Sequence, residues 1–132
     1  AITKADLPAG CSDLMRAALA GDVVKIRKAL AKGADPNCHT SPGRSTALML
    51  AATNGTLASV MALLNKNANV NSRDSAGATA LMFAAMSGKA EVVKALLKKG
   101  ADPKIRAENG RVALDLAQEA GKKDVVEILQ GK

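Results

Sequence analysis

A single histidine, His39, stands in this chain of 132 residues, directly after Cys38, and one further cysteine lies at Cys11. These are the side chains whose types best suit nucleophilic or metal chemistry, and their arrangement argues against both. Zinc asks for three or four His, Cys or carboxylate ligands, and a Ser/His or Cys/His nucleophile needs a third group to orient its base. Neighbours on an extended segment point to opposite sides, so Cys38 and His39 make a poor pair. His39 is predicted to be an exposed residue at a hairpin. No Gly-x-x-x-x-Gly-Lys-Ser/Thr loop, His-Glu-x-x-His helix or Cys-x-x-Cys knuckle occurs. Carboxylates are present, but Asp35 and Asp102 recur with Asn69 at one position of a repeat, which predicts a structural duty at a turn. The chain is therefore read as a non-enzyme with no catalytic residue, no cofactor and no metal.

The elements that position these residues recur about every 33 residues. One unit runs Thr79-Ala80-Leu81-Met82-Phe83-Ala84-Ala85, Gly88, Glu91-Val92-Val93-Lys94-Ala95-Leu96-Leu97 and Gly100-Ala101-Asp102-Pro103. The preceding unit has Thr46 to Ala52, Gly55, Ser59 to Leu64 and Asn67 to Asn71, and two looser copies flank the pair. Gly21, Gly55, Gly88 and Gly121 are expected between a first and a second helix, with positive φ. Gly33, Asn67 and Gly100 are expected in the same backbone state where the second helix ends. Gly43, Gly77 and Gly110 mark a turn before each new first helix. Leu48, Ala51 and Ala52 share one helical face, as do Leu81, Ala84 and Ala85, and Val93, Leu96 and Leu97 repeat that spacing on the second helix. Thr46, Thr79 and Ser12 are expected to cap first helices, a pattern that Val112 breaks. Such units have too little interior to stand alone and must stack, so function lies on the surface of the stack.

Length allows one domain: an arm over 1–10, then repeats at approximately 11–39, 40–73, 74–106 and 107–132. The apolar share of 48% comprises Ala, Leu and Val with one Phe and no Trp or Tyr, which suits thin, closely packed helices. No apolar run approaches the roughly 20 residues a membrane span needs, so a soluble chain without membrane insertion is expected. The net charge of +7 favours acidic partners, but the basic residues are scattered and the stacking aromatics of single-strand binders are missing. No specific nucleic acid is expected. The start, Ala1-Ile2-Thr3-Lys4, fits a chain after signal-peptide removal and equally one trimmed in another way.

Gly77 to Ala85, Glu91 to Leu97 and Gly100 to Pro103 carry a resemblance to ankyrin repeats that covers residues 11 to 132. Ala47 and Ala80 replace the family's usual Pro, and Met49 and Met82 its usual His, removing the bond that His would make to the hairpin. The resemblance implies an all-α solenoid of four stacked helix-turn-helix units with projecting β-hairpin loops. In such a stack the segments carrying Cys11 and Cys38 lie side by side, so the resemblance also implies that a disulfide is within reach. Two reduced thiols in a cytosolic protein remain the alternative.

Ankyrin-like modules bind proteins through the hairpin tips and the exposed side of the first helices. Carried over position by position, that surface comprises His39, Ser41, Arg44 and Ser45, with Thr53 and Asn54. It continues through Arg73, Ser75, Ala76 and Ala78, with Phe83, Met86 and Ser87, and then Arg106, Glu108, Asn109 and Arg111, with Glu119. Arg44, Arg73, Arg106 and Arg111 form a ladder suited to carboxylates. Phe83, with Met82 and Met86, offers an apolar anchor; the competing role is core filling. Arg44 is the extra residue of its repeat, so its loop is expected to bulge.

The resulting expectation is a module, monomeric when free, that binds one protein partner through its concave face and hairpin tips. With a disulfide, the likeness sharpens towards small secreted or periplasmic bacterial ankyrin proteins, some of which are self-protection inhibitors of wall-degrading hydrolases. With free thiols, a cytosolic adaptor or regulatory subunit is the alternative. A polyanion-binding protein driven by net charge is the further one.

Overall fold

Residues 11–40, 42–54 and 56–131 are described in a computed structural model of the chain. Among the described residues eight helices follow one another: α1 (Ser12–Ala20), α2 (Val23–Ala31), α3 (Ala47–Asn54), α4 (Leu57–Leu64), α5 (Ala80–Ser87), α6 (Ala90–Lys98), α7 (Ala113–Glu119) and α8 (Lys123–Leu129). The odd-numbered helices stack on one another in one layer and the even-numbered helices in a second, each pair joined by a tight turn. Alanine at fixed positions explains the close stacking. Ala17, Ala51, Ala84 and Ala117 occupy one position of the odd helices, and all are buried. Leu14, Leu48 and Leu81 repeat beside them, almost completely excluded from solvent. Each such leucine contributes roughly 2 to 3 kcal/mol on leaving water. Val60, Val93 and Leu96 bring the second layer into the same core.

Turn geometry follows the expected punctuation with one exchange. Gly21, Gly88 and Gly121 have φ of 70°, 71° and 71°, and Asn67 at 67° stands in for Gly33 and Gly100. Gly55 lies outside the described residues. Gly77 and Gly110 are left-handed, at 78° and 82°, but at the first hairpin Arg44 takes that state, with φ 57°, in place of Gly43. The inserted residue shifts the register, so the four-residue turn of the other hairpins becomes one in which the Arg44 N–H donates to the Thr40 carbonyl (2.9 Å).

Helix starts divide similarly. The hydroxyls of Thr46 and Thr79 accept from the Met49 and Met82 amides at 3.2 and 3.4 Å. Ser12 does not cap: Cys11 occupies the capping position in a helical conformation, and Ser12 is already the first helical residue. At α7, where Val112 has no acceptor, the Asp115 carboxylate accepts the Val112 N–H at 3.0 Å and supplies half of a capping box. The lost histidine bond is partly replaced, since the Met49 sulfur accepts the Thr46 N–H at 3.4 Å.

The hairpins are narrower than paired strands. Among the described residues no strand forms, and the one bridge pairs His39 with Thr46. Each loop is closed by two backbone bonds of 2.9 Å: the Thr40, Asp74 and Ala107 N–H groups donate to the Ser45, Ala78 and Arg111 carbonyls, and their own carbonyls accept from Arg44, Gly77 and Gly110. Successive loops are then tied together by Ser75 N–H to the Gly43 carbonyl and Glu108 N–H to the Ala76 carbonyl, both 3.0 Å. Asp35, Asn69 and Asp102 each accept the backbone N–H two residues on, the turn duty expected of them. Asn37 and Asn71 reach across to the Asn69 and Asp102 amides.

Candidate functional site

The exposed side of the odd-helix layer shows a row that residue types alone do not reveal. Counting along the repeat, Arg16, Leu50, Phe83 and Leu116 occupy the same position of α1, α3, α5 and α7. Leu50, Phe83 and Leu116 are half-buried, packed against the core yet open to solvent, while Arg16 is exposed. Phe83 is thus the middle of an apolar strip that continues into both neighbouring repeats. Leu50 and Leu116 were not among the expected site residues; their offsets of 33 residues on either side of Phe83 are the signal that picks them out. Met86 extends the strip with 38% of its surface exposed, whereas Met82 is buried at 1% and belongs to the core.

Several expected contact residues have duties inside the fold. The Asn54 amide donates to the Ala18 and Leu19 carbonyls at 3.0 and 2.6 Å, closing the end of α1. Thr53 turns its hydroxyl onto the Met49 carbonyl of its own helix at 2.9 Å. His39 is half-buried rather than exposed, because its backbone pairs with Thr46 and its Nδ1 lies 3.1 Å from the Thr40 carbonyl oxygen. Ser45 is half-buried beneath the Arg44 turn, and its N–H donates to the Thr40 hydroxyl at 3.0 Å. Ser41 lies outside the described residues. Ser75, Ala76, Glu108 and Asn109 are exposed at the hairpin tips, and Ser87 is half-buried at the end of α5.

The arginine ladder separates by function. Arg73 donates to the Gly77 carbonyl of its own hairpin (3.1 Å) and to the Arg106 carbonyl of the next (2.7 Å). Arg106 likewise donates to the Gly110 carbonyl at 2.7 Å. Arg111 grips Glu119 in a fork, with Nε and Nη2 each 2.7 Å from carboxylate oxygens. Those hydrogen bonds hold the Glu119 carboxyl below the usual carboxylate range and raise the Arg111 guanidinium. All four arginines are exposed, but Arg44 differs in that, among the described residues, neither a side-chain hydrogen bond nor an ion pair engages its guanidinium. Arg73 and Arg106 therefore brace hairpins, Arg111 ties its hairpin to the end of α7, and Arg44 is left without such a bond among the described residues.

Cys11 and Cys38 are paired with their Cα atoms 5.9 Å apart, both buried, across 27 residues of sequence. The bond ties the start of α1 to the first hairpin, at the end of the stack where no earlier repeat is described. Among the described residues no cluster of three His, Cys, Asp or Glu side chains can hold a metal ion, and no helix is long and apolar enough to cross a membrane.

No curated protein matches the chain. A family model described as ankyrin repeats in three copies matches residues 14–107 and again 77–132, which together span most of the sequence. With two layers of helices, tight hairpins and this match, the chain belongs to the ankyrin-repeat family, whose members are generally non-enzymatic modules for protein–protein interaction.

Proposed function

We propose that this module binds one partner protein, as a monomer, through the exposed face of α1, α3, α5 and α7 and the adjoining hairpin tips. The observation that carries the reading is the half-buried row Leu50, Phe83 and Leu116, with Met86 at its edge. Aromatic and flexible apolar side chains set among polar neighbours are the usual anchors of an interface. Arg44 adds a charge at the rim suited to a carboxylate. We place the working unit within 11–132, with repeats divided near 39, 73 and 106. The Cys11 and Cys38 pair supports an oxidising compartment, periplasmic or extracellular, because cytosolic thiols are kept reduced. Blocking a cell-wall hydrolase in that compartment is the finer form of the proposal.

The test starts with immobilised protein and an extract of the source cells' envelope fraction, comparing the natural chain with Phe83→Arg. Arg16 occupies the same repeat position in α1, where it is exposed, and circular dichroism checks that the Phe83 variant stays folded. One protein retained by the natural chain and lost with Phe83→Arg supports the site. Equal retention by both moves the site elsewhere. Addition of the module to the retained protein in a wall-lysis assay then decides the finer form: undiminished lysis removes the inhibitor reading.

A further inference from the structure

The even-numbered helices present a second surface, on the opposite side from the one above. Their outer positions read Arg27, Met61, Lys94 and Glu127 at one place of the repeat, so Met61 on α4 stands where every other copy has a charge. α4 carries no charged residue at all, yet it runs between two basic helices. Leu57 keeps 40% of its surface exposed, and Val24 on α2 keeps 58%. Met61 lines the furrows on both sides of α4: one of about 280 Å³ shared with Arg27 and Ala58, and one of about 400 Å³ shared with Leu57, Lys94 and Lys98.

Charge on this face is mostly unanswered. The one carboxylate lining either furrow, Glu91, pairs with Lys94 at 3.5 Å. Among the described residues no ion pair engages Arg27, Lys98 or Lys99. Lysines in the last turn of α6 also offset its dipole, a role that needs no partner. That role does not account for an uncharged, apolar α4 set between them. A purely electrostatic site for a polyanion would not replace the central charge with methionine.

We infer that the outer face of α4 docks an acidic amphipathic helix of a protein, its apolar stripe on Met61 and Leu57 and its carboxylates on Arg27, Lys94 and Lys98. Helices settle into furrows of this kind through apolar residues spaced at i, i+4 and i+7, and methionine adapts to their shape. α4 and α6 are long enough, at roughly 12 Å each, to hold two turns of such a helix.

The probe is a fluorescein-labelled helical peptide with Leu at that spacing and Glu elsewhere, read by anisotropy at physiological ionic strength. Saturable binding is expected, at least about tenfold tighter than for a peptide of the same composition with the faces scrambled. Met61→Glu is expected to weaken it at least about tenfold, as is the pair Lys94→Glu and Lys98→Glu. Met61→Lys is the deciding variant: it adds positive charge, so tighter peptide binding overturns the proposal in favour of charge alone. Glu127 and Lys94 at the same repeat position show that both Met61 variants suit a folded helix, and circular dichroism checks it. Phe83→Arg is expected to leave the peptide affinity unchanged, which separates this face from the first. Equal binding of the scrambled peptide, preference for phosphatidylglycerol vesicles over the peptide, or absence of saturable binding each overturns the inference.

Discussion

Arg44 holds a left-handed backbone, with φ 57°, at the place where the next two hairpins have Gly77 and Gly110. A side chain in that state costs about 1 kcal/mol relative to glycine. Its guanidinium recovers nothing from an ion pair among the described residues. Strain without internal compensation points to use at a surface. Arg44→Gly is therefore expected to raise the unfolding free energy by about 1 kcal/mol in urea titration, while weakening capture of the partner. Increased stability with unchanged capture would make Arg44 a neutral insertion. His39, Arg73 and Arg106 share one repeat position, yet only the arginines reach a carbonyl four residues on. That difference was not legible from residue type. The sequence marks arginine as suited to interfaces, but whether a guanidinium meets a partner or its own hairpin depends on a local carbonyl that only the folded loop presents.

At the scale of the element, the helices were readable because glycine, alanine and leucine recur in phase, each for a reason of backbone or volume. The hairpins were less so. Their closure rests on a pair of backbone bonds each and on side chains that cross between repeats, such as Arg73 to the Arg106 carbonyl and Asn71 to the Asp102 amide. Interactions of this kind follow from stacking and carry no short-range spacing of their own. A comparison of two glycines isolates their worth. Gly77 and Gly110 have nearly the same φ, but a Cβ on Gly77 would lie 2.7 Å from Arg73 Nη2 and 3.1 Å from the Glu108 backbone nitrogen, while a Cβ on Gly110 meets nothing within 4 Å. Both alanine variants share the left-handed penalty of about 1 to 2 kcal/mol. Gly77→Ala is expected to lose at least about 1 kcal/mol more, through the displaced Arg73 bonds. Equal losses in chemical denaturation would show that the hairpin bracing contributes little.

For the whole molecule, stacked units share stability with their neighbours, so the ends decide where unfolding begins. The Cys11 and Cys38 bond closes 27 residues at the first repeat, a constraint worth about 3 to 4 kcal/mol on the chain-entropy account. Reduction, or replacement of both cysteines by serine, is expected to speed amide exchange in α1 and α2 well before α5 to α7. Uniform acceleration throughout would mean that the stack unfolds as one unit. The proposed binding face shows how far the sequence could be read. Phe83 was visible as the lone aromatic, while Leu50 and Leu116 look like ordinary core leucines until the repeat register aligns them with it. Titration calorimetry of the captured partner against the natural chain, Leu50→Arg and Phe83→Arg tests that row most directly. The account predicts one partner per module and a loss of affinity of at least about thirtyfold in either variant, measured below the lowered but still cooperative unfolding transition. Affinities within about threefold of the natural chain, in variants that remain folded, would contradict it.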